Sequence, residues 1–211
     1  SMAVPDAKTR LDPISLGLIR NHLQSYADEM ANTVIRTAYS TVIRDCMDFS
    51  TALCDPQGQM VAQGITIPFH LGSIPFALGS CIRKYRGRIY PGDMFIINDP
   101  FDGGIHLPDI FVFKPVFHEN DLIGFSAVIS HHVDIGGRVA GGACDSTEIY
   151  QEGLRIPPLK LYERGRPSEA IFQILEKNVR VPKLVLGDLH ANLAALRTGE
   201  KGFLELVENY G

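Results

Sequence analysis

No apolar stretch in this 211-residue sequence approaches the ~18 consecutive residues that a membrane-spanning helix needs. The N-terminus also lacks the basic-then-apolar order of a secretory signal. A cytoplasmic protein that does not engage a membrane is therefore expected, with Ser1 before Met2 set aside as a tag-cleavage remnant. Positive charge is not in excess. Twenty Lys and Arg against 24 Asp and Glu leave a net charge of −4, which gives no electrostatic reason to expect nucleic acid as a partner. Cysteine pairing motifs are missing too. Cys46, Cys54, Cys81 and Cys144 form no C-x-x-C, which removes the common zinc-knuckle and thioredoxin readings and leaves reduced, buried thiols as the expectation. There is no G-x-x-x-x-G-K-[ST] and no G-x-G-x-x-G. Gly199-Glu200-Lys201-Gly202 only imitates the former, so the chain has no nucleotide-binding motif of its own. Internal repeats, low-complexity tracts and long linkers are likewise lacking.

What is present is an ordinary globular composition, 45% hydrophobic and 21% charged, in a chain long enough for one or two domains. Asp12 as N-cap and Pro13 at the first helical position open a helix expected to run to Tyr39, with Ile14, Leu18, Tyr26, Met30, Val34 and Ala38 along one face. Asp48 to Cys54 and Gln59 to Ala62 read as a hairpin about Asp55-Pro56-Gln57-Gly58. A helix is expected over His70 to Tyr85, and strands over Asp93 to Asn98, Asp109 to Phe117 and Leu122 to Ser130. Pro115 marks its strand as an edge or bulged one. Leu159 to Tyr162 reads as a last strand, and Ser168 to Lys177 and Lys183 to Val207 as helices. The fold class is α+β: a mixed or antiparallel central sheet between a long N-terminal helix and C-terminal helices.

The chemistry concentrates between Asn98 and Gly137, where two apolar runs each end in a glycine-rich loop bearing metal-capable side chains. The first loop contains His106-x-x-Asp109, whose spacing lets two side chains converge on one ion. The second begins His131-His132-x-Asp134. Adjacent residues on a strand point to opposite faces, so only one of the two histidines can meet the same ion as His106. The other is expected to hydrogen-bond behind the ligands or pack on the reverse side. Asp48 either completes a His₂Asp₂ set or caps a turn, and Asp45 pairs with Arg44 or Arg36. Imidazole and carboxylate donors suit Zn, Mn or Fe. His70 reads as a buried, hydrogen-bonded histidine or part of a pocket wall. His22, His118 and His190 read as surface or helix-packing residues. Gly136 to Gly142 reads as a tight, mobile loop, and Glu148 and Glu152 as a solvated face.

Five ordered blocks resemble the hydantoinase B/oxoprolinase family, related to the α-type subunits of acetone and acetophenone carboxylases. They are Arg44-Asp45 through Asp48-Phe49-Ser50, Pro68-Phe69-His70-Leu71-Gly72-Ser73, Asn98-Asp99-Pro100 through His106-Leu107-Pro108-Asp109, His131-His132-x-Asp134-Ile135-Gly136-Gly137, and Ile149-Tyr150-Gln151-Glu152-Gly153-Leu154. The resemblance spans residues 12 to about 207. It implies a metal-bearing subunit of an ATP-dependent cyclic-amide hydrolase, with Asp48, His106, Asp109 and His131 as ligands of a divalent metal. His132 and Asp99 would then lie behind the ligands or face substrate as catalytic groups. ATP would be bound by a partner, a hydantoinase A-type subunit, in a hetero-oligomer acting on a small cyclic amide. A ketone-carboxylase α-type subunit and a non-catalytic structural subunit are the alternatives. Family members are at least twice this length, so residues 12–211 are expected to be an N-terminal, metal-bearing portion, with residues 1–11 a tag remnant and disordered leader. Phe101 and Ile105 stand where relatives often carry tyrosine and threonine.

Overall fold

A computed structural model of the chain describes residues 12–66 and 68–210. The leader read over residues 1–11 lies outside these. Helix α1 (Pro13–Thr37) starts as the sequence dictates: the Asp12 carboxylate accepts the backbone N–H groups of Ile14 and Ser15 at 2.9 and 3.1 Å, and Pro13 lacks an N–H that would otherwise need a partner. Its apolar stripe is covered only in the second half. Tyr26, Ala27, Met30, Ala31 and Val34 are buried, whereas Ile14 and Leu18 stay exposed. A short helix α2 (Thr41–Arg44), capped by Ser40, leads into β1 (Phe49–Cys54) and β2 (Met60–Gln63).

The helix expected from His70 is divided. Residues Pro68–Ser73 form a 3₁₀ turn, and the α-helix α3 (Ile74–Lys84) begins only after it. Pro75 belongs in a first helical turn, where a missing N–H costs nothing, so it fixes the start of α3 downstream of His70. Then come β3 (Met94–Ile97), β4 (Asp109–His118), β5 (Asp121–His131), β6 (Leu159–Glu163) and β7 (Arg166–Pro167), and finally α4 (Glu169–Asn178) and α5 (Pro182–Tyr210). β7 was not legible, because two residues, one of them proline, carry no alternation.

The strands form one seven-stranded sheet in the order β2-β1-β5-β4-β3-β6-β7, and every pair is antiparallel. Pro115 sits on a strand that is central at its start, yet the pairing with β3 reaches only Phe113, so beyond that point β4 has β5 alone as neighbour. A bulge follows between Val116 and Phe117.

Period-two alternation sorts the strands onto two cores. Phe49, Leu53, Ile96, Ile110, Val112 and Val128 face α1 and α5, while Ala52, Phe95, Ile97, Phe111, Phe113, Ala127 and Ile129 face α3. The same arithmetic places Asp48, Asp109 and His131 on the α3 face, and Ser130 and His132 on the α5 face. Antiparallel pairing also puts the start of β1, the end of β5, the start of β4 and the end of β3 on one rim of the sheet.

Candidate metal centre

At that rim Asp109 and His131 are direct cross-strand partners. The Asp109 carboxylate is 1% exposed and lies between two imidazoles: His106 Nδ1 is 2.5 Å from Oδ2, and His131 Nδ1 is 3.2 Å from Oδ1. The two rings stack with centroids 5.1 Å apart. His106 reaches Asp109 because the segment between them folds into a turn closed by the Asp109 N–H on the His106 carbonyl at 2.9 Å. Donor atoms of His106, Asp109 and His131 all lie within 4.8 Å of one another, a spacing that one cation can bridge. Two imidazoles and a carboxylate suit Zn, Mn or Fe, so the residues present fit such an ion.

The electrostatics follow from this packing. Burial alone would raise the Asp109 carboxyl, but hydrogen bonds from His106 and His131 outweigh it and bring the pKa down to about 2. The hydrogen bond to Asp109 raises His106 above its ordinary value against the opposing effect of burial, with Asp48 and Glu152 adding smaller attractions.

Asp48 stands a step aside. Its carboxylate is 35% exposed and faces His70, whose Nε2 is 3.6 Å from Asp48 and 3.9 Å from Asp109. The backbone binds Asp48 to the site more directly, since its carbonyl accepts the His131 N–H at 3.0 Å. His70 is therefore buried against two of the expected ligands, brought there by the 3₁₀ turn ahead of α3.

Asp99 is nearly buried on the first loop. It accepts the Phe101 N–H at 3.0 Å, capping the 3₁₀ turn Pro100–Asp102, and its other oxygen lies 3.5 Å from Arg155 Nε. The Arg155 guanidinium in turn sits over the exposed rings of Phe101 and Tyr150 at 5.9 and 6.0 Å. Asn98 stitches these segments together, donating to the Leu107 and Leu154 carbonyls and accepting from Ile156 N–H. His132 is fully buried on the opposite face. Its N–H donates to the Pro108 carbonyl and its Nε2 is 3.3 Å from Ser130 Oγ. Burial pushes the His132 pKa down, against the pull of Asp188.

Of the glycine loop read over Gly136 to Gly142, the first two residues are tightly packed. Gly136 and Gly137 have positive φ and pack where a Cβ would meet the Asn178 and Gln151 carbonyls at 2.7 and 2.5 Å. Exposed Arg180 pins it to buried Asp134, donating to Asp134 at 3.0 Å and to the Gly137 carbonyl at 2.6 Å. Asp45 pairs with Arg44 at 2.9 Å. The buried-thiol expectation holds for Cys54 and Cys81 and fails for Cys46 and Cys144, which lie in exposed polar segments. An open cavity of about 560 Å³ between α3 and the Pro100–Asp102 turn is lined by Phe76, Arg83, Phe101 and Asp102, and His106, Asp109 and His131 are not among its lining residues.

A family model for hydantoinase B/oxoprolinase matches residues 12–211. The chain belongs to the hydantoinase B/oxoprolinase family. Among its relatives, the B-type subunit of a putative D-/L-hydantoinase from a Pseudomonas species (strain NS671) is 35% identical over 208 residues, covering 96% of this chain and 35% of that protein. The crystal structure of an ATP-dependent caprolactamase from Pseudomonas jessenii superimposes with a TM-score of 0.90 at 38% identity, over 96% of this chain and 35% of its own. An acetone carboxylase structure shares the fold at a TM-score of 0.89 and 20% identity, over 95% and 27% of the two chains. The chain thus spans about a third of the length of the hydantoinase and caprolactamase relatives. Among the described residues no helix is long and apolar enough to cross a membrane.

Proposed function

We propose that this hydantoinase B-type chain is the metal-bearing part of an ATP-dependent enzyme that opens an activated cyclic amide, a lactam or hydantoin. The observation that carries the reading is the buried Asp109 carboxylate held between His106 and His131 at the rim of the sheet. Asp48, beside His70 on the same face, would be the fourth ligand. Bound there, Zn, Mn or Fe supplies Lewis acidity for attack of water on an activated amide carbon.

The chain's own residues prepare that site. Asp109 offers one oxygen to each histidine, which fixes both rings with Nδ1 turned inward. His70 packs its Nε2 against both carboxylates, 3.6 Å from Asp48 and 3.9 Å from Asp109. Asp99 orients Arg155 and the turn that precedes His106. His132, closed off from solvent, holds the strand end from behind. ATP would be bound by a hydantoinase A-type partner in a hetero-oligomer, a reading supported by the hydantoinase relative being a B-type subunit. The identity to the caprolactamase favours C–N hydrolysis over ketone carboxylation, for which the likeness is one of fold alone.

Elemental analysis of purified wild type beside His106→Ala tests the site. Near-stoichiometric metal that disappears in the variant is expected, together with loss of ATP-dependent lactam opening when the chain is combined with its partner. A variant that retains metal, or activity that survives the substitution, refutes the reading and favours a structural subunit.

A further inference from the structure

Behind the rim, on the α5 face of the sheet, four fully buried polar residues meet: Ser130, His132, Asp188 and Asn192. Asp188 and Asn192 lie one turn apart on α5, whose other buried residues are apolar or glycine. Asn192 Nδ2 donates to Ser130 Oγ at 2.5 Å, and Ser130 Oγ lies 3.3 Å from His132 Nε2. The serine hydroxyl keeps its own proton, and donating it to His132 Nε2 would place the proton of the neutral imidazole on Nδ1. Among the described residues three buried atoms then have no protein partner: His132 Nδ1, a donor in that tautomer, and the acceptors Asp188 Oδ2 and Asn192 Oδ1. Each is costly to leave unpaired, and a buried water that accepts once and donates twice has the complementary set of bonds.

The same residues grip the backbone that delivers the candidate ligands. Asp188 Oδ1 accepts the N–H groups of Tyr39 and Ser40 at 2.7 and 2.9 Å. Ser40 caps α2, which leads directly to Asp48. Ser130 and His132 flank His131, and the His132 N–H holds Pro108, the residue before Asp109. One turn of α5 therefore backs both strand starts and the strand end that converge on the far face.

We propose that these four side chains enclose one ordered water, and that Asp188 and Asn192 are positioning residues for the proposed metal centre. The inference rests on the metal reading above, and its two halves separate in experiment. Long-range ¹H–¹⁵N imidazole spectra of the metal-free protein are expected to show His132 as the Nδ1–H tautomer, and an Nε2–H tautomer overturns the water seat whether or not metal binds. Cobalt(II) affinity by chelator competition, with the visible spectrum of the bound ion, reads the positioning role. Asn192→Leu and Asp188→Leu are expected to weaken cobalt about 10- to 100-fold and alter its spectrum. Asp188→Asn keeps an acceptor for Tyr39 and Ser40 and is expected to stay within about threefold of wild type. Unchanged affinity in the folded leucine variants, or equal damage from Asp188→Asn and Asp188→Leu, overturns the positioning role. A wild type that binds no cobalt overturns the metal reading itself, and the positioning role with it.

Discussion

Two glycine-to-alanine substitutions, chemically identical and both within helices, are expected to move stability in opposite directions. Gly17 lies on the exposed start of α1, and a Cβ built there meets nothing within 4 Å. Gly17→Ala should therefore gain the helix-propensity difference, about 1 kcal/mol. Gly199 lies in α5 where the helix rests on the sheet, and its Cβ would fall 2.6 Å from Met30 Sδ, 2.8 Å from Ser126 Cβ and 3.2 Å from Leu53 Cδ2. The methionine sulfur can swing aside. Ser126 Cβ cannot, because it is anchored to a central strand and its hydroxyl already binds the Leu196 carbonyl of α5 at 2.8 Å. The helix must lift instead, and overpacking of this kind costs about 1–3 kcal/mol. Because propensity is common to both substitutions, their difference isolates that packing cost. At about 2–4 °C per kcal/mol for a chain of this size, Gly199→Ala should melt about 2–12 °C below Gly17→Ala. Thermal unfolding of the two variants side by side, by circular dichroism with a reversibility check, measures the gap. Equal shifts from both would refute the claim that α5 owes its close seat on the sheet to Gly199.

Other outcomes follow from the site and the thiols. Cys54 is buried and its pKa is pushed up to about 12 by that burial, while Cys81 is raised further for the same reason. Native protein should therefore show Cys46 and Cys144 reacting readily with a thiol reagent and the other two reacting only after unfolding. Fast labelling of all four would contradict the packing. Metal affinity should climb with pH. The Asp109 hydrogen bond raises His106 above 6.5, so in acid a proton must be displaced before this nitrogen can ligate. Affinity rises as pH increases through that raised value and then levels off. A pH-independent chelator titration between about pH 6 and 8 would exclude His106 as a ligand. Arg180→Ala should loosen the Gly136–Gly137 turn by removing the side-chain bonds to Asp134 and Gly137. Faster amide exchange at Gly136–Arg138 should follow, with the core strands unaffected.

Much of the fold is legible in the residue pattern. The β4 and β5 strands and the long terminal helices follow from period-two and helical spacing, which leaves the sheet mixed or antiparallel. The convergence of His106, Asp109 and His131 follows from two strand ends meeting one loop. Strand parity also separates His131 from His132, and the structure places them on opposite faces. What escaped has physical reasons. The break before α3 depended on where Pro75 would be tolerated, which is a question of local backbone geometry. His70 arrives at the rim through a 3₁₀ turn whose direction no periodicity encodes. Asp188 and Asn192 gave a faint signal, two polar residues at i and i+4 on a leucine-rich face. Their partners lie 62 residues or more away in sequence, so nothing local marks them as more than helix surface.

The cross-strand pair Asp109 and His131 closes the open end of the β4–β5 hairpin, whose far end is the turn at Glu119, where φ is +54°. A hairpin that zips from its turn brings these two together last, after every earlier rung has found its partner. A slip of one residue anywhere along the way would turn one of them toward α5 and leave the other facing α3. Capture of an ion at the rim would therefore act as a check on the assembled sheet, rewarding the one register in which both side chains emerge on the same side. In that sense the chemistry and the folding of this chain are read out by the same pair of residues.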